Sequence, residues 1–288
     1  MAAPTVLRRR LAPTAGVARG TGMMRVIRAE LFKLRTTPGP WVVLIVTLVL
    51  TALGIITAFV ITIGGKGEFT APVFTPQLRD LVGAGYGAGT VLAPIVGILC
   101  ITTEYRQKVL TTTLLVTPRR EVVLFGKGVA SAVWGLFLAV AGLVLVAAMG
   151  IPLLVTQGGS VTALLHQVGP VVPGLLGAYV LFAIFGLGIG TLLRNQVAAV
   201  ILTIVFVAIL EPIIVALVHH LAHVDLNWLP SRSAAALAGG LTHSAGGGGN
   251  NTGAGPLLSW WLGGLALLGW GVGTAVIGYF TTFRRDVT

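Results

Sequence analysis

"GAGYGAGTVLAPIVGILCITTEYRQKVLTTTLLVTPRR", residues 83–120, decides how the chain is read. Residues 83–103 are uncharged, apolar or small; the rest gathers Glu104, Arg106, Lys108, Arg119, Arg120, a threonine run and Pro118. Another apolar run opens at Val129. The first part, read as helix, covers about 32 Å, enough to cross a hydrocarbon core of about 30 Å. A span, a polar turn-round and a second span are the natural reading.

Composition extends that reading to the whole chain. Only 9% of residues are charged, 55% are hydrophobic and the mean hydropathy is +0.95. A soluble domain carries about 25% charged residues. This is therefore an integral membrane protein, and it lacks the alternating pattern of a membrane β-barrel, so its spans are helices. Six are expected: 41–63, 83–103, 129–149, 171–193, 197–218 and 258–280. The fold class is all-α, with one six-span membrane domain over 23–288. Residues 1–22, basic and without an apolar core segment, are expected to be a disordered extension, the organised sequence starting at Met23 or Met24. Within the loop at 219–257, "HSAGGGGNNTGAG" reads as a flexible linker.

With six spans both termini share a side. Sixteen of the nineteen Lys and Arg fall on that side, against Lys66, Arg79 and Arg232 on the other. The positive-inside rule makes the first side cytoplasmic. The same distribution accounts for the net charge of +11 through orientation and attraction to anionic lipid, without nucleic acid. Trp41 and Phe283 mark the inner boundary, and Trp228, Trp260 and Trp261 the outer one. Before the first span, "MRVIRAELFKLRT" (24–36) is amphipathic. Met24, Ile27, Leu31 and Leu34 share a side, Arg25, Arg28 and Arg35 lie beside it, and Lys33 lies further round. It is expected to rest in the inner headgroup region.

Catalytic chemistry has little to stand on. A Walker A loop is absent, as are H-E-x-x-H and G-x-S-x-G, and the chain has only eight carboxylates. No nucleotide or metal cofactor is expected in this chain. The nearest approach to a metal set is His219, His223 and Asp225 in "HHLAHVD", His219 and His223 being i, i+4; the plainer reading is a polar helix end at the interface. The lone Cys100 lies in an apolar run and reads as a small buried hydrophobe.

The connector after Thr103 invites two readings. From Tyr105 to about Val116 a short helix is allowed, ended by Pro118. Glu104 and Lys108 form a favourable i, i+4 pair, and Val109, Leu110, Leu114 and Leu115 make an apolar strip. Such a helix either docks on a cytoplasmic partner or dips its leucines into the headgroups.

"RAELFKLRTT" leading into a tryptophan-started span, followed by "TEYRQKVLTTTLLVTPRREVVLFGK" after the second span, resembles the membrane subunits of type-2 ABC transporters, especially small six-span bacterial permeases. The resemblance covers about residues 24–285. It implies an N-terminal helix along the inner membrane surface and a coupling helix that docks on a separate ATPase. Glu104, Tyr105 and Arg106 would open that element, Gln107, Lys108, Leu110, Thr111 and Leu114 would lie in its body, and Arg119, Arg120 and Lys127 would form its basic exit. The expected function is export of an amphiphilic substrate (drug, antibiotic, peptide or lipid) from the bacterial cytoplasmic membrane. ATP and Mg would be bound by the partner, and a second permease chain would complete the pore. The alternative is a membrane scaffold that recruits a cytoplasmic partner without transport. A membrane-embedded enzyme lacks any convergent acid/base set.

Glu211 and Pro212 stand inside the fifth span. Pro212 frees a carbonyl one turn earlier, so a kink or break is expected there. Either the helix ends near Leu210 and Glu211 meets water or headgroups, or the pair lines an outer gate or substrate path. The resemblance implies an outer re-entrant hairpin at this position.

Overall fold

The computed structural model describes residues 23–66, 74–107, 120–156, 160–193, 195–239 and 257–283. The expected N-terminal extension and the glycine-rich linker lie outside these residues. Every regular element among them is helical. In chain order these are α1 (Met23–Thr36), α2 (Pro38–Lys66), α3 (Phe74–Gln107), α4 (Arg120–Thr156) and α5 (Val161–Val168). They are followed by α6 (Val172–Leu192), α7 (Gln196–Val205), α8 (Glu211–Ala222), α9 (Pro230–Leu237) and α10 (Trp260–Gly278). A π-helical turn, Phe206–Leu210, joins α7 to α8 without a break in the rod.

Among the described residues five stretches are long and apolar enough to cross a membrane: Pro38–Thr57, Glu121–Leu153, Leu164–Leu192, Gln196–Ala222 and Trp260–Thr281. They overlap the expected first, third, fourth, fifth and sixth spans. The expected second span falls within the 34-residue α3.

The bundle is organised around α6. Leu175, Ala178 and Tyr179 on it are completely buried, with Phe182 nearly so, and it packs against α3, α4, α9 and α10. Lipid-facing residues elsewhere stay apolar and exposed, such as Ile45 on α2, Val144 on α4 and Leu265 on α10. Between apolar helices in lipid there is little hydrophobic drive, so close backbone contact and dispersion must hold them. Glycine supplies that contact. A Cβ on Gly97 of α3 would strike the Ala183 carbonyl, and one on Gly186 of α6 would strike that of Pro94. On the opposite flank of α6, Gly188 meets Thr274 of α10 and Gly278 meets Thr191.

Two ends of the bundle can be told apart. One carries α1, whose buried side, Glu30 and Leu34, packs on α4 and α2. Trp41 Nε1 donates to the Arg35 carbonyl at 2.8 Å and fastens α1 to the start of α2. The expected lipid side of α1 is therefore divided. Ile27 is half-buried and Leu34 fully buried, while Met24 is 61% and Phe32 69% exposed. The helix forms as the periodicity predicts, but packing on the bundle competes with lipid for its apolar residues.

The far end carries α9, packed on α6 and α10. His223 ends α8 in the left-handed region at φ 52°, its N–H donating to the His219 carbonyl. The chain then doubles back through residues 224–229 into α9. Trp270 Nε1 donates to the Trp228 carbonyl at 2.8 Å, and the two indoles stack with centroids 5.8 Å apart. Asn195, between α6 and α7, caps α7 by accepting from the amides of Val197 (3.0 Å) and Ala198 (3.3 Å). A cap of that kind contributes about 1 kcal/mol.

Candidate functional site

Four charged side chains from three helices meet at the α1 end. Glu30 lies on the bundle-facing side of α1, Glu104 in the last turn of α3, and Lys127 in the second turn of α4. Lys127 Nζ sits 2.8 Å from Glu30 Oε2 and 2.8 Å from Glu104 Oε1, and donates to the Cys100 carbonyl at 3.2 Å. An ammonium has three donors, and all three are satisfied. Lys33 Nζ bridges the same carboxylates from the rim, 3.1 Å from Glu30 and 2.6 Å from Glu104. Two anions and two cations balance, which is how buried charge is tolerated.

Burial differs sharply within the cluster. The Lys127 side chain is 0% exposed, those of Glu30 and Glu104 are 4% and 7%, and that of Lys33 is 44%. Burial alone would lower the Lys33 pKa. The hydrogen bond to Glu104, helped by the fields of both carboxylates, outweighs burial and the repulsion of Lys127, so the net shift is upward from 10.5. The sign follows from linkage: a raised lysine pKa stabilises fully below its unfolded value and fades as pH climbs through the folded one. The Lys33 contribution is thus constant through neutrality and disappears only above pH 10.5. Thermal midpoints of wild type and Lys33→Met should differ by a fixed amount from pH 6 to 9 and converge above pH 10.5.

The expected connector residues fall around this cluster. Tyr105 is half-buried against the core, Arg106 is exposed, Gln107 ends α3 and Arg120 begins α4. Lys108, Leu110, Thr111, Leu114 and Arg119 lie outside the described residues. Glu104 has Lys33 and Lys127 as cation partners, and the expected local pair with Lys108 falls outside the described residues. One expectation needs correction. Lys127, expected in a basic exit, is instead wholly interior. Glu30 was overlooked altogether, although its place between Ile27 and Leu34 on one helical side is a visible signal: an acid on an apolar face needs a buried cation.

At the far end, Glu211 is also fully buried. The helix does not stop at Leu210. The Glu211 N–H reaches back to the Phe206 carbonyl across a π turn, which re-registers the backbone ahead of Pro212. A π turn within a continuous helix therefore stands ahead of Pro212, where a kink or break was expected. Glu211 Oε1 accepts from the Ser231 amide at 2.7 Å and more weakly from the Arg232 amide at 3.4 Å. It is a side-chain cap for α9 delivered from another helix, so the reading that put Glu211 in water or headgroups is set aside. Arg232 is itself buried, its Nε donating to Asn227 at 2.8 Å. Glu211→Ala should remove a cap of about 1 kcal/mol and speed hydrogen exchange at the Ser231 and Arg232 amides. Glu211→Gln, which keeps the acceptor oxygen, should leave that exchange near wild type.

The metal reading fails on geometry. His219 Nδ1 lies 2.9 Å from Asp225 Oδ1, and the His223 ring stands edge-on to His219 at 6.4 Å. Among the described residues no three His, Cys, Asp or Glu side chains are grouped to hold a metal ion.

With the geometry in place, the chain can be compared with known proteins. The family of ABC-2 family transporter proteins matches residues 26–210, well over half the chain. The chain belongs to that family. The match takes in α1 from Val26 onward, both flanks of the connector and the whole ion cluster, and stops one residue short of Glu211. No curated protein matches the chain. As an ABC-2 membrane permease it is a multi-pass, non-catalytic transporter component. Permeases of the ABC-2 family generally pair with an ATPase subunit, and that subunit binds the nucleotide.

Proposed function

We propose that this ABC-2 permease is the membrane half of an ATP-driven exporter, with six spans, both termini cytoplasmic, and residues 105–116 as the element that docks on the ATPase. In this reading α3 is the second span. It packs against α2, α4 and α6, and its low polarity between Gly87 and Thr103 suits the membrane interior. Two permease chains complete the pore in the bacterial cytoplasmic membrane. The substrate is amphiphilic, because the spans hold few charges to solvate a polar one.

The observation that carries the proposal is the Glu104–Lys127 pair. Glu104 stands just before the connector and Lys127 just after it, so one buried ion pair closes the loop at its root. Glu30 joins α1 to the same point. Force applied to the connector by a closing ATPase dimer then moves α1, α3 and α4 together, and does not bend one helix end alone.

The test is co-purification with a candidate ABC ATPase subunit, followed by substrate-stimulated ATP hydrolysis in proteoliposomes. Arg106 is exposed at the end of α3, so Arg106→Ala should keep the fold while weakening ATPase association several-fold. Glu104→Gln should preserve association but reduce the stimulation of hydrolysis by substrate. If neither substitution alters assembly or hydrolysis, the docking assignment is wrong. Association with an ATPase whose hydrolysis no amphiphile stimulates would favour the scaffold reading.

A further inference from the structure

The ion cluster uses one side of α1, which leaves the other side to explain. At 100° per residue Arg25, Arg28, Phe32 and Arg35 fall within roughly 80° of one another, opposite Glu30 and Leu34. All four are exposed, Phe32 to 69%, and Met24 beside them to 61%. The one acidic residue of α1, Glu30, is committed to Lys33 and Lys127 on the buried side. The outward side is therefore three cations around a phenyl ring, with no counter-charge supplied by α1 itself. Trp41, 39% exposed and bonded to the Arg35 carbonyl, continues this surface toward α2.

We propose that the outward side of α1 is a binding surface for anionic phospholipid, with Arg25, Arg28 and Arg35 on the headgroup phosphates and Phe32 and Met24 among the upper acyl carbons. Charge complementarity selects the occupant. A zwitterionic lipid carries its own cation and gains little from three more, whereas an anionic one has a net charge to neutralise. The exposed ring argues for a lipid over a free anion, because inorganic phosphate offers nothing to cover it. Arginine suits the role, since its fork takes phosphate oxygens in pairs. Binding on this side also has a consequence on the other. Lipid that holds α1 against the bundle holds Glu30 and Lys33 in the cluster, and a ligand that binds only the docked state stabilises the fold. The inference does not depend on the transport reading, since it concerns stability of the chain in lipid.

The experiment is a thermal-unfolding titration of the full chain in neutral detergent with phosphatidylglycerol, phosphatidylcholine or glycerol 3-phosphate. Phosphatidylglycerol should raise the midpoint in a saturable, salt-sensitive way, and the other two should not. Each arginine near an anionic surface changes partitioning roughly fivefold. The triple substitution Arg25→Gln, Arg28→Gln and Arg35→Gln should then raise the phosphatidylglycerol concentration for half-effect roughly a hundredfold. These residues are exposed, so the variant should match wild type without lipid. Phe32→Gln should weaken the lipid effect while leaving its salt dependence intact. Equal stabilisation by phosphatidylcholine, an equal response to glycerol 3-phosphate, or an unchanged titration in the triple variant would overturn the proposal.

Discussion

Lys127→Met will lower the thermal midpoint of the purified chain more than any other single substitution in the ion cluster. Methionine fills most of the lysine volume, so the loss is electrostatic and not a cavity. Two buried carboxylates would then share Lys33 alone, which sits 44% exposed at the rim. Removing one member of a buried ion pair typically costs about 3–5 kcal/mol, because the remaining charge is stranded. For a chain of this size that corresponds to a midpoint shift on the order of 10 °C. The double variant Lys127→Met with Glu104→Gln should recover most of the loss, because Glu30 and Lys33 then balance one another. That recovery separates stranded charge from general damage. A Lys127→Met midpoint within about 2 °C of wild type would remove the cluster from any structural role.

The second large effect is expected where α3 crosses α6. Gly97 and Gly186 face each other's helices so closely that a Cβ on either would enter backbone atoms of the partner, and a backbone cannot rotate away. Gly186→Ala therefore has to push the helices apart over their whole contact. Overpacking costs about 1–3 kcal/mol where side chains can adjust, and this site should lie at or beyond the upper bound. The readout is the yield of monodisperse protein together with its midpoint. Gly269 and Gly273 on α10 are the controls, having open space where a Cβ would go. Alanine there should be silent or slightly stabilising, since it favours helix over glycine by up to about 1 kcal/mol. Similar damage at Gly186 and Gly269 would mean that glycine content, and not the crossing, matters.

These two sites show what could be read before the fold was known. Periodicity and length located the helices, because a backbone in lipid has few options and hydropathy reports them directly. An irregular turn ahead of Pro212 follows from its missing N–H, and the π turn at Phe206–Leu210 is that irregularity. Partners across the bundle were harder. Nothing local links Glu30 to Lys127, 97 positions apart, and a carboxylate on an amphipathic helix looks solvated until its facing side is known. The resemblance places Lys127 in a basic exit, while its depth is set by helix packing. The glycines posed the same difficulty: Gly186 and Gly269 look alike in the sequence, and only one of them meets another backbone.

The ion pair at the root of the connector has one more consequence. Because Glu104 and Lys127 are paired, the ends of α3 and α4 that flank residues 108–119 are held together by the bundle itself, whatever the sequence between them. The entropy of closing that connection changes slowly with length, so its sequence can be exchanged while the frame holding it stays the same. Under the docking role proposed for residues 105–116, swapping residues 108–119 between permeases should then redirect a chain to another's ATPase without rebuilding its membrane portion.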